Sequence, residues 1–293
     1  DRSESTCRAC RKLRPPNLHP IRISGMRAMM QELINQNRLF SILHEALAGE
    51  VGADHPLLRE LMAYVDIYAQ ANRVSAEAAE AAYLKFIGAY RKDVLEFMRT
   101  GRYPAGGREI ARVEYDVALL LSTVLTKPRF RIMQLLAERA LAADRSLFVG
   151  VGSGVELHLL RHRLKSAEAF DLRINPVLRE WMPDVAFREE EFAAGKGLYG
   201  QIFLIEILEH LDDPLQLVIQ CGQSLQAGGQ IHLTTATNIP QFDHRVNFPQ
   251  DHRAFEAWLR EQGYQVLFCE DIPHPPAPKD IGSQNRFYTV ARR

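Results

Sequence analysis

The chain has 293 residues, with 36 Lys and Arg against 36 Asp and Glu, 46% hydrophobic residues and 25% charged ones. At roughly 150 residues per domain, this length fits two domains or one large domain with an extension. The composition excludes wholesale disorder and collagen-like or low-complexity classes. A formal net charge of zero argues against a general nucleic-acid binder, whose affinity comes mainly from excess Lys and Arg facing phosphates.

No apolar run approaches the ~20 residues that span a bilayer, and no signal-peptide pattern opens the chain. Four cysteines are too few for a disulfide scaffold. A reducing, cytoplasmic setting is therefore expected, with no membrane and no nucleic acid as partner. The chain begins with Asp1 rather than Met, which reads as a processed or excised form.

Residues 1–25 are expected to be an irregular basic arm carrying Pro15, Pro16 and Pro20. Cys7 and Cys10 form a lone CxxC there. A zinc site needs a second ligand pair, and only His19 stands nearby, so no metal is assigned. From Met26 to Ala48, apolar residues at Met30, Leu33, Ile34, Leu43 and Leu47 recur at helical spacing, and Gly49 is expected to end that helix. Pro56 opens a second helix, to about Ala71. Ser75 caps a long third one that stops at Gly101. After the break at Pro104-Ala105-Gly106-Gly107, a helix starts at Arg108, and Pro128 opens another to about Ala143. Residues 26–144 thus read as an all-α accessory domain that lids the site, sets substrate choice or supports a homodimer.

At Ser146 the period changes. Short apolar runs at Leu147–Val149, Ala167–Phe170, Val185–Phe187, Ile202–Ile205, Gln230–Thr235, Tyr264–Cys269 and Arg286–Ala291 read as strands. Helical stretches such as Val155–Leu164, Pro176–Met182, Leu215–Leu225 and Phe255–Gln262 lie between them. Alternation of this kind gives right-handed crossovers. The predicted fold class is α/β: a doubly wound, mostly parallel seven-stranded sheet of Rossmann-like type over residues 145–293, with an all-α N-terminal domain. Ligands in such sheets sit at the carboxyl ends of the strands, where the glycine and acidic punctuation falls.

Gly150, Gly152 and Gly154 follow the first strand and open a helix, where glycines permit a tight turn and close approach of a ligand. Asp171 ends the next strand, where a carboxylate suits the two hydroxyls of a ribose. Two cofactors meet these terms: a dinucleotide, or a nucleoside with a methionine-like tail. The dinucleotide fingerprint G-x-G-x-x-G/A needs a small residue at Val155; the spacing here is G-x-G-x-G.

Phe148-Val149-Gly150-Val151-Gly152-Ser153-Gly154 resembles the first motif of class I S-adenosylmethionine-dependent methyltransferases, those of small-molecule type included. Tyr199 to Leu211, followed by Asp213-Pro214, is similar to that family's fourth-strand motif. Leu225-Gln226-Ala227-Gly228-Gly229 is similar to its turn before strand five. The resemblance covers roughly residues 128–293. It departs from the family at Phe148, where an acid is usual, and at Gly200, where Asp is frequent. The resemblance implies that S-adenosylmethionine is the cofactor. Gly150, Gly152 and Gly154 would face its carboxypropyl and ribose, Asp171 would bind the ribose hydroxyls, and Leu172 would border the adenine. Glu191 and Phe192 would sit near the adenine amine and ring, and Ile205 and Glu206 would line the methionine side.

On the acceptor side, His210 ends the fourth-strand motif and serves either as a turn-closing residue or as a base. The loop Asn238–Phe248 should overhang the site. Within it, Asp243-His244 offers an oriented acid–base pair and Arg245 a clamp for a substrate carboxylate; His252 reads as surface. His210, Asp213, His244 and His252 have the chemistry of a two-His-one-carboxylate metal site, but no local spacing enforces it, and no metal is assigned. The expected function is methyl transfer to a small-molecule acceptor at O, N or C, a secondary-metabolite intermediate among the candidates. A methyltransferase acting on a peptide or protein is the first alternative and a non-catalytic cofactor-binding subunit the second. An NAD-dependent oxidoreductase is disfavoured by Val155.

Overall fold

Asn37 divides what its apolar spacing predicts as one helix. In the computed structural model it is extended (φ −117°, ψ 117°), and its side chain accepts hydrogen bonds from the amides of Leu39 and Phe40. An Asn that can bond the following amides favours a cap over a helix interior. The structure describes residues 28–104, 111–195, 197–275 and 280–292. The basic arm with Cys7 and Cys10, the start of the helix predicted from Arg108, and Pro276 and Pro278 lie outside the described residues.

Among the described residues, six helices precede the first strand: α1 (Met29–Gln36), α2 (Arg38–Val51), α3 (Pro56–Ala71), α4 (Ala76–Thr100), α5 (Arg112–Leu125) and α6 (Lys127–Arg139). Gly49 does not end α2, which runs on to Gly52, where φ is +95° and only glycine sits without strain. α4 follows its signals. The Ser75 hydroxyl accepts from the Ala78 amide, and Gly101 closes the helix in the left-handed region.

The strands are β1 (Ser146–Val149), β2 (Ala167–Asp171), β3 (Val185–Glu189), β4 (Tyr199–Leu204), β5 (Leu225–Thr237), β6 (Tyr264–Pro273) and β7 (Gln284–Arg292). Between them lie α7 (Val155–Leu160), α8 (Pro176–Trp181), α9 (Pro214–Gln223) and α10 (Arg253–Glu261). The sheet order is β3-β2-β1-β4-β5-β7-β6, parallel from β3 to β5, with β7 antiparallel to both neighbours. The chain steps outward from β1 to β3 and then returns to β4, so the switch point lies between β1 and β4. β5 starts at Leu225, five residues before the predicted Gln230, and its register against β4 slips between Tyr199 and Gln201.

Side chains alternate between two cores, as the period of a strand requires. Phe148, Ala169, Phe203 and Phe287 face α6, α7 and the helical layer, joining Tyr64, Leu121 and Leu136 in one cluster. Leu147, Val149, Ile202, Leu204 and Val290 face α9 and α10 through Val218, Cys221 and Leu259. The N-terminal helices therefore share a core with one face of the sheet, and α6 packs directly on α7, β6 and β7. Among the described residues, no helix is long and apolar enough to cross a membrane.

His232 on β5 is fully buried and stacks on Phe203 at 5.1 Å, with Nδ1 3.2 Å from Thr289 Oγ1. Burial lowers its pKa to about 4. The unfolded chain takes up a proton below about pH 6.5 that the folded chain refuses until about pH 4, so stability should fall through that window. His232→Phe is expected to lose less Tm than the parent between about pH 7 and about pH 5. Equal losses in both proteins would place the acid sensitivity elsewhere.

Candidate functional site

β1 delivers the chain into three glycines with positive φ: Gly150 at +78°, Gly152 at +52° and Gly154 at +76°. They serve different ends. A Cβ on Gly150 would lie 2.8 Å from Ile207 Cδ1, and one on Gly154 2.9 Å from Leu178 Cδ2. At Gly152 a Cβ would meet nothing within 4 Å, so this turn faces open space. The Gly152 amide donates to Asp171 Oδ2 at 2.9 Å, and the Arg173 amide donates to Oδ1 at 3.0 Å. Asp171 is thereby aimed along the glycine turn, with lone pairs left for a ligand's hydroxyls.

The helical layer braces this end. The Tyr64 hydroxyl donates to the Ser153 carbonyl at 2.6 Å. Arg112 lies 3.5 Å from Asp171 and 3.2 Å from Asp116, and the Tyr68 hydroxyl donates to Asp116 at 2.7 Å. Leu172, beside Asp171, is 67% exposed. Glu191 is exposed, whereas Phe192 is buried edge-on against Phe170 and serves the core. Ile205 lines a small cavity with Phe148, Gly150, Val151 and Glu156. Phe148 stacks on Phe203 at 4.5 Å, and the acid at this cavity is Glu156, whose carboxyl burial pushes up to about 7.

Glu206 carries the chain from this cavity into a larger one. Its φ is +51°, unusual for a residue with a side chain and of the kind that clusters at functional sites. The Arg129 guanidinium donates to its carboxylate at 2.7 Å and the Asn285 amide at 2.9 Å. Beyond it lies a cavity of about 200 Å³. Tyr83, Phe86 and Tyr90 of α4 and Tyr115 of α5 form one wall. Glu206, Glu209 and His210 after β4, and His244 after β5, form the polar end.

The loop after β5 overhangs this cavity through Ile239, Gln241 and His244. Asp243 does not pair with its neighbour His244. Its carboxylate accepts from the Tyr115 hydroxyl at 2.7 Å and from the Gln241 amide at 2.8 Å, and lies 3.6 Å from His210 Nδ1. The His244 ring turns to His210 instead, with centroids 4.9 Å apart. Burial lowers the His244 pKa to about 3, and burial beside Glu206 raises that of Glu209 well above the usual range. Arg245 points away from the cavity, is 59% exposed and pairs with Asp212. Asp213 caps α9, and His252 pairs with Glu256 at the surface. Among the described residues, Glu209, His210 and His244 are the group whose His and carboxylate atoms gather as metal ligands would, all within 4.8 Å. Sequence reasoning missed Arg129, Tyr115, Tyr64 and Glu209. Arg129 reads from sequence only as the residue after a helix-opening Pro128, and Tyr64 and Tyr115 carry no signal beyond lying in predicted helices.

A seven-stranded sheet of this order, a glycine turn with one open position, and an acid aimed along it define the class I S-adenosylmethionine-dependent methyltransferase fold. Residues 124–268 match the family described as methyltransferase domain, and the chain is an S-adenosylmethionine-dependent methyltransferase. It is 25% identical over 171 residues to a ubiquinone biosynthesis O-methyltransferase of Pseudomonas aeruginosa, covering 48% of this chain and 74% of the relative. Among solved structures it is similar to the 1,6-didemethyltoxoflavin-N1-methyltransferase of Burkholderia thailandensis, with a TM-score of 0.45, 15% identity, and 72% and 90% of the two chains covered. The N-methyltransferase NodS of Bradyrhizobium japonicum matches with a TM-score of 0.45 and 14% identity over 56% of this chain and 86% of its own.

Proposed function

We propose that the chain methylates a hydroxyl oxygen of a compact small molecule held in the cavity between α4, α5 and the carboxyl ends of β4 and β5. The observation that carries this reading is the cavity itself. At about 200 Å³ it is smaller than the ~300–1,000 Å³ usual for drug-sized ligands. It is aromatic on one wall and polar at the other end, and it adjoins the glycine turn through Ile205 and Glu206. The O-methyltransferase relative supports oxygen as the acceptor atom.

In this reading residues 26–144 supply the acceptor wall and residues 145–293 hold the cofactor. When bound, S-adenosylmethionine supplies a methyl group on a sulfonium cation. Asp171 holds the ribose hydroxyls and Gly152 leaves the backbone open to them. Leu172 borders the adenine, and Ile205 and Glu206 flank the methionine side. Arg129 neutralises Glu206 in a setting where an unpaired carboxylate would be costly. Tyr83, Phe86 and Tyr90 exclude water and align a flat acceptor, and alignment is the larger part of an in-line displacement. The acceptor hydroxyl gives up its proton at the polar end formed by Glu209, His210, His244 and Asp243.

Incubation with methyl-labelled S-adenosylmethionine and fractionated small molecules should label a hydroxylated compound of low mass, seen by mass spectrometry as the gain of one methylene. Label found only on polypeptide would replace this reading with a protein methyltransferase. Tyr115→Phe removes the hydroxyl that fixes Asp243. It should lower kcat roughly tenfold or more, the worth of a hydrogen bond to a charged group, with S-adenosylhomocysteine affinity unchanged by calorimetry. An unchanged kcat would detach Asp243 from the reaction.

A further inference from the structure

His274 enters the acceptor cavity from a part of the fold that neither the glycine turn nor the polar end uses. It follows β6, whose last residue, Pro273, pairs with Gln284 of β7. Its amide donates to the Ser283 carbonyl at 2.8 Å, one step past that pair. The backbone under the ring is therefore pinned to the sheet. In the sheet β6 stands beyond β7 and β5 from β4, so His274 reaches the cavity from well away from Glu209 and His210.

A chain of hydrogen bonds fixes which nitrogen of this ring carries the proton. The Glu206 carboxylate is ion-paired with Arg129 at 2.7 Å and can only accept. It therefore holds the amide nitrogen of Asn285, 2.9 Å away. Asn285 is fully buried, and its amide oxygen is left turned to His274 Nε2 at 2.6 Å. An amide oxygen only accepts, so Nε2 carries the hydrogen. Burial lowers the His274 pKa, against the pull of Asn285 and Glu206, and the ring is neutral at pH 7. In a neutral imidazole with its proton on Nε2, Nδ1 keeps a lone pair.

From this geometry we infer that His274 is a recognition residue for the acceptor, its Nδ1 taking a hydrogen bond from a second N–H or O–H group, distinct from the hydroxyl that is methylated. The inference rests on the proposed function for the reacting hydroxyl and narrows the acceptor to molecules that carry a further donor. An imidazole free to exchange tautomers would take donors and acceptors alike. The Glu206–Asn285 pair removes that freedom and, with it, tolerance for a ligand lone pair at this position. An analogue that lacks the donor leaves Nδ1 bare in a cavity from which water is excluded, and such sites discriminate by the cost of the unpaired group. His274 thus selects by hydrogen bonding, whereas the aromatic wall of α4 and α5 selects by shape.

The test reads the tautomer first and recognition second. Protein isotope-labelled at the histidine ring nitrogens is followed by long-range proton–nitrogen NMR, with the His274 signal assigned by its absence from His274→Gln. The form with the proton on Nε2 is expected, and the form with the proton on Nδ1 overturns the proposal. The probes are the three aminophenols and the three fluorophenols, titrated by calorimetry with S-adenosylhomocysteine bound. Each matched pair shares the phenol hydroxyl and differs in a second group that donates or does not. In at least one pair the aminophenol should bind about tenfold or more tighter. His274→Phe should bring that ratio within about threefold while S-adenosylhomocysteine affinity holds. His274→Gln should keep part of the preference, because its amide can donate to Asn285 and still present an oxygen. A preference that His274→Phe leaves unchanged overturns the proposal, and so does the absence of binding by all six compounds. Should His274→Phe not fold, the tautomer of the parent chain decides. A preference lost in His274→Phe, with no methyl reaching any hydroxyl, would sink the acceptor reading and leave His274 as the recognition group.

Discussion

Gly152→Val is expected to abolish S-adenosylhomocysteine binding in calorimetry while the chain still folds. The residue sits at φ +52°, which costs a side-chain-bearing residue about 1–2 kcal/mol, a loss that a domain of ordinary stability survives. No protein atom lies within 4 Å of the added Cβ, so the new side chain enters open space, where the cofactor is proposed to lie, rather than the core. Gly150 and Gly154 provide the contrast. A Cβ there runs into Ile207 or Leu178, so Gly150→Val and Gly154→Val should lower Tm first and binding only as a consequence. Asp171→Ala should weaken the cofactor by about 1.5–3 kcal/mol, as for hydrogen bonds to a charged group. It also strips the Gly152 amide of its acceptor. Binding within threefold of the parent in Gly152→Val would move the ribose away from this turn.

That the turn could be located from sequence follows from how local its physics is. Positive φ at Gly150, Gly152 and Gly154 is a property of single residues, and the short apolar runs around them mark strands without knowledge of what they pack against. The same locality made Ser75 and Gly101 reliable ends for α4. Asn37 shows the limit. Its neighbours keep helical apolar spacing, and only the competition between its side chain and the backbone for the Leu39 and Phe40 amides breaks the helix in two.

The acceptor end was legible only in its parts. His210, Asp243 and His244 stand out by residue type, but their pairing depends on the end of β4 meeting the loop after β5. Sequence neighbours on an irregular segment face different ways, so Asp243 finds His210, from 33 residues away, rather than His244. Arg245 is turned outward by the same geometry, its amide donating to the Glu209 carbonyl while its side chain reaches Asp212. Tyr115 reads as an ordinary helix position, and nothing local to it signals that its hydroxyl reaches Asp243.

Arg129 carries the largest expected effect on stability. Its guanidinium is 17% exposed and donates to a Glu206 carboxylate that is 15% exposed. Glu156 also faces it, as does the hydroxyl of Tyr115. Truncation in Arg129→Ala leaves these acids without their cation, and removal of one partner from a buried pair costs about 3–5 kcal/mol. A fall in Tm of roughly 5–15 °C should follow. The penalty should also depend on pH, with a sign that Glu156 sets. Burial already raises that carboxyl to about 7 against the attraction of Arg129, so loss of the cation raises it further. A carboxyl whose folded pKa lies above its unfolded value destabilises the fold only where it would otherwise be ionised. The deficit of Arg129→Ala should therefore be greatest above about pH 7 and shrink towards about pH 5, where Glu156 is protonated. The double variant Arg129→Met with Glu206→Gln removes both charges at similar volume and should recover much of the loss, because a buried pair replaced by matched neutral groups is near neutral in stability. A deficit that is the same at both pH values, and that the double variant leaves intact, would mean that Arg129 supports the fold through the packing of its stem on α6 and not through the acids it faces.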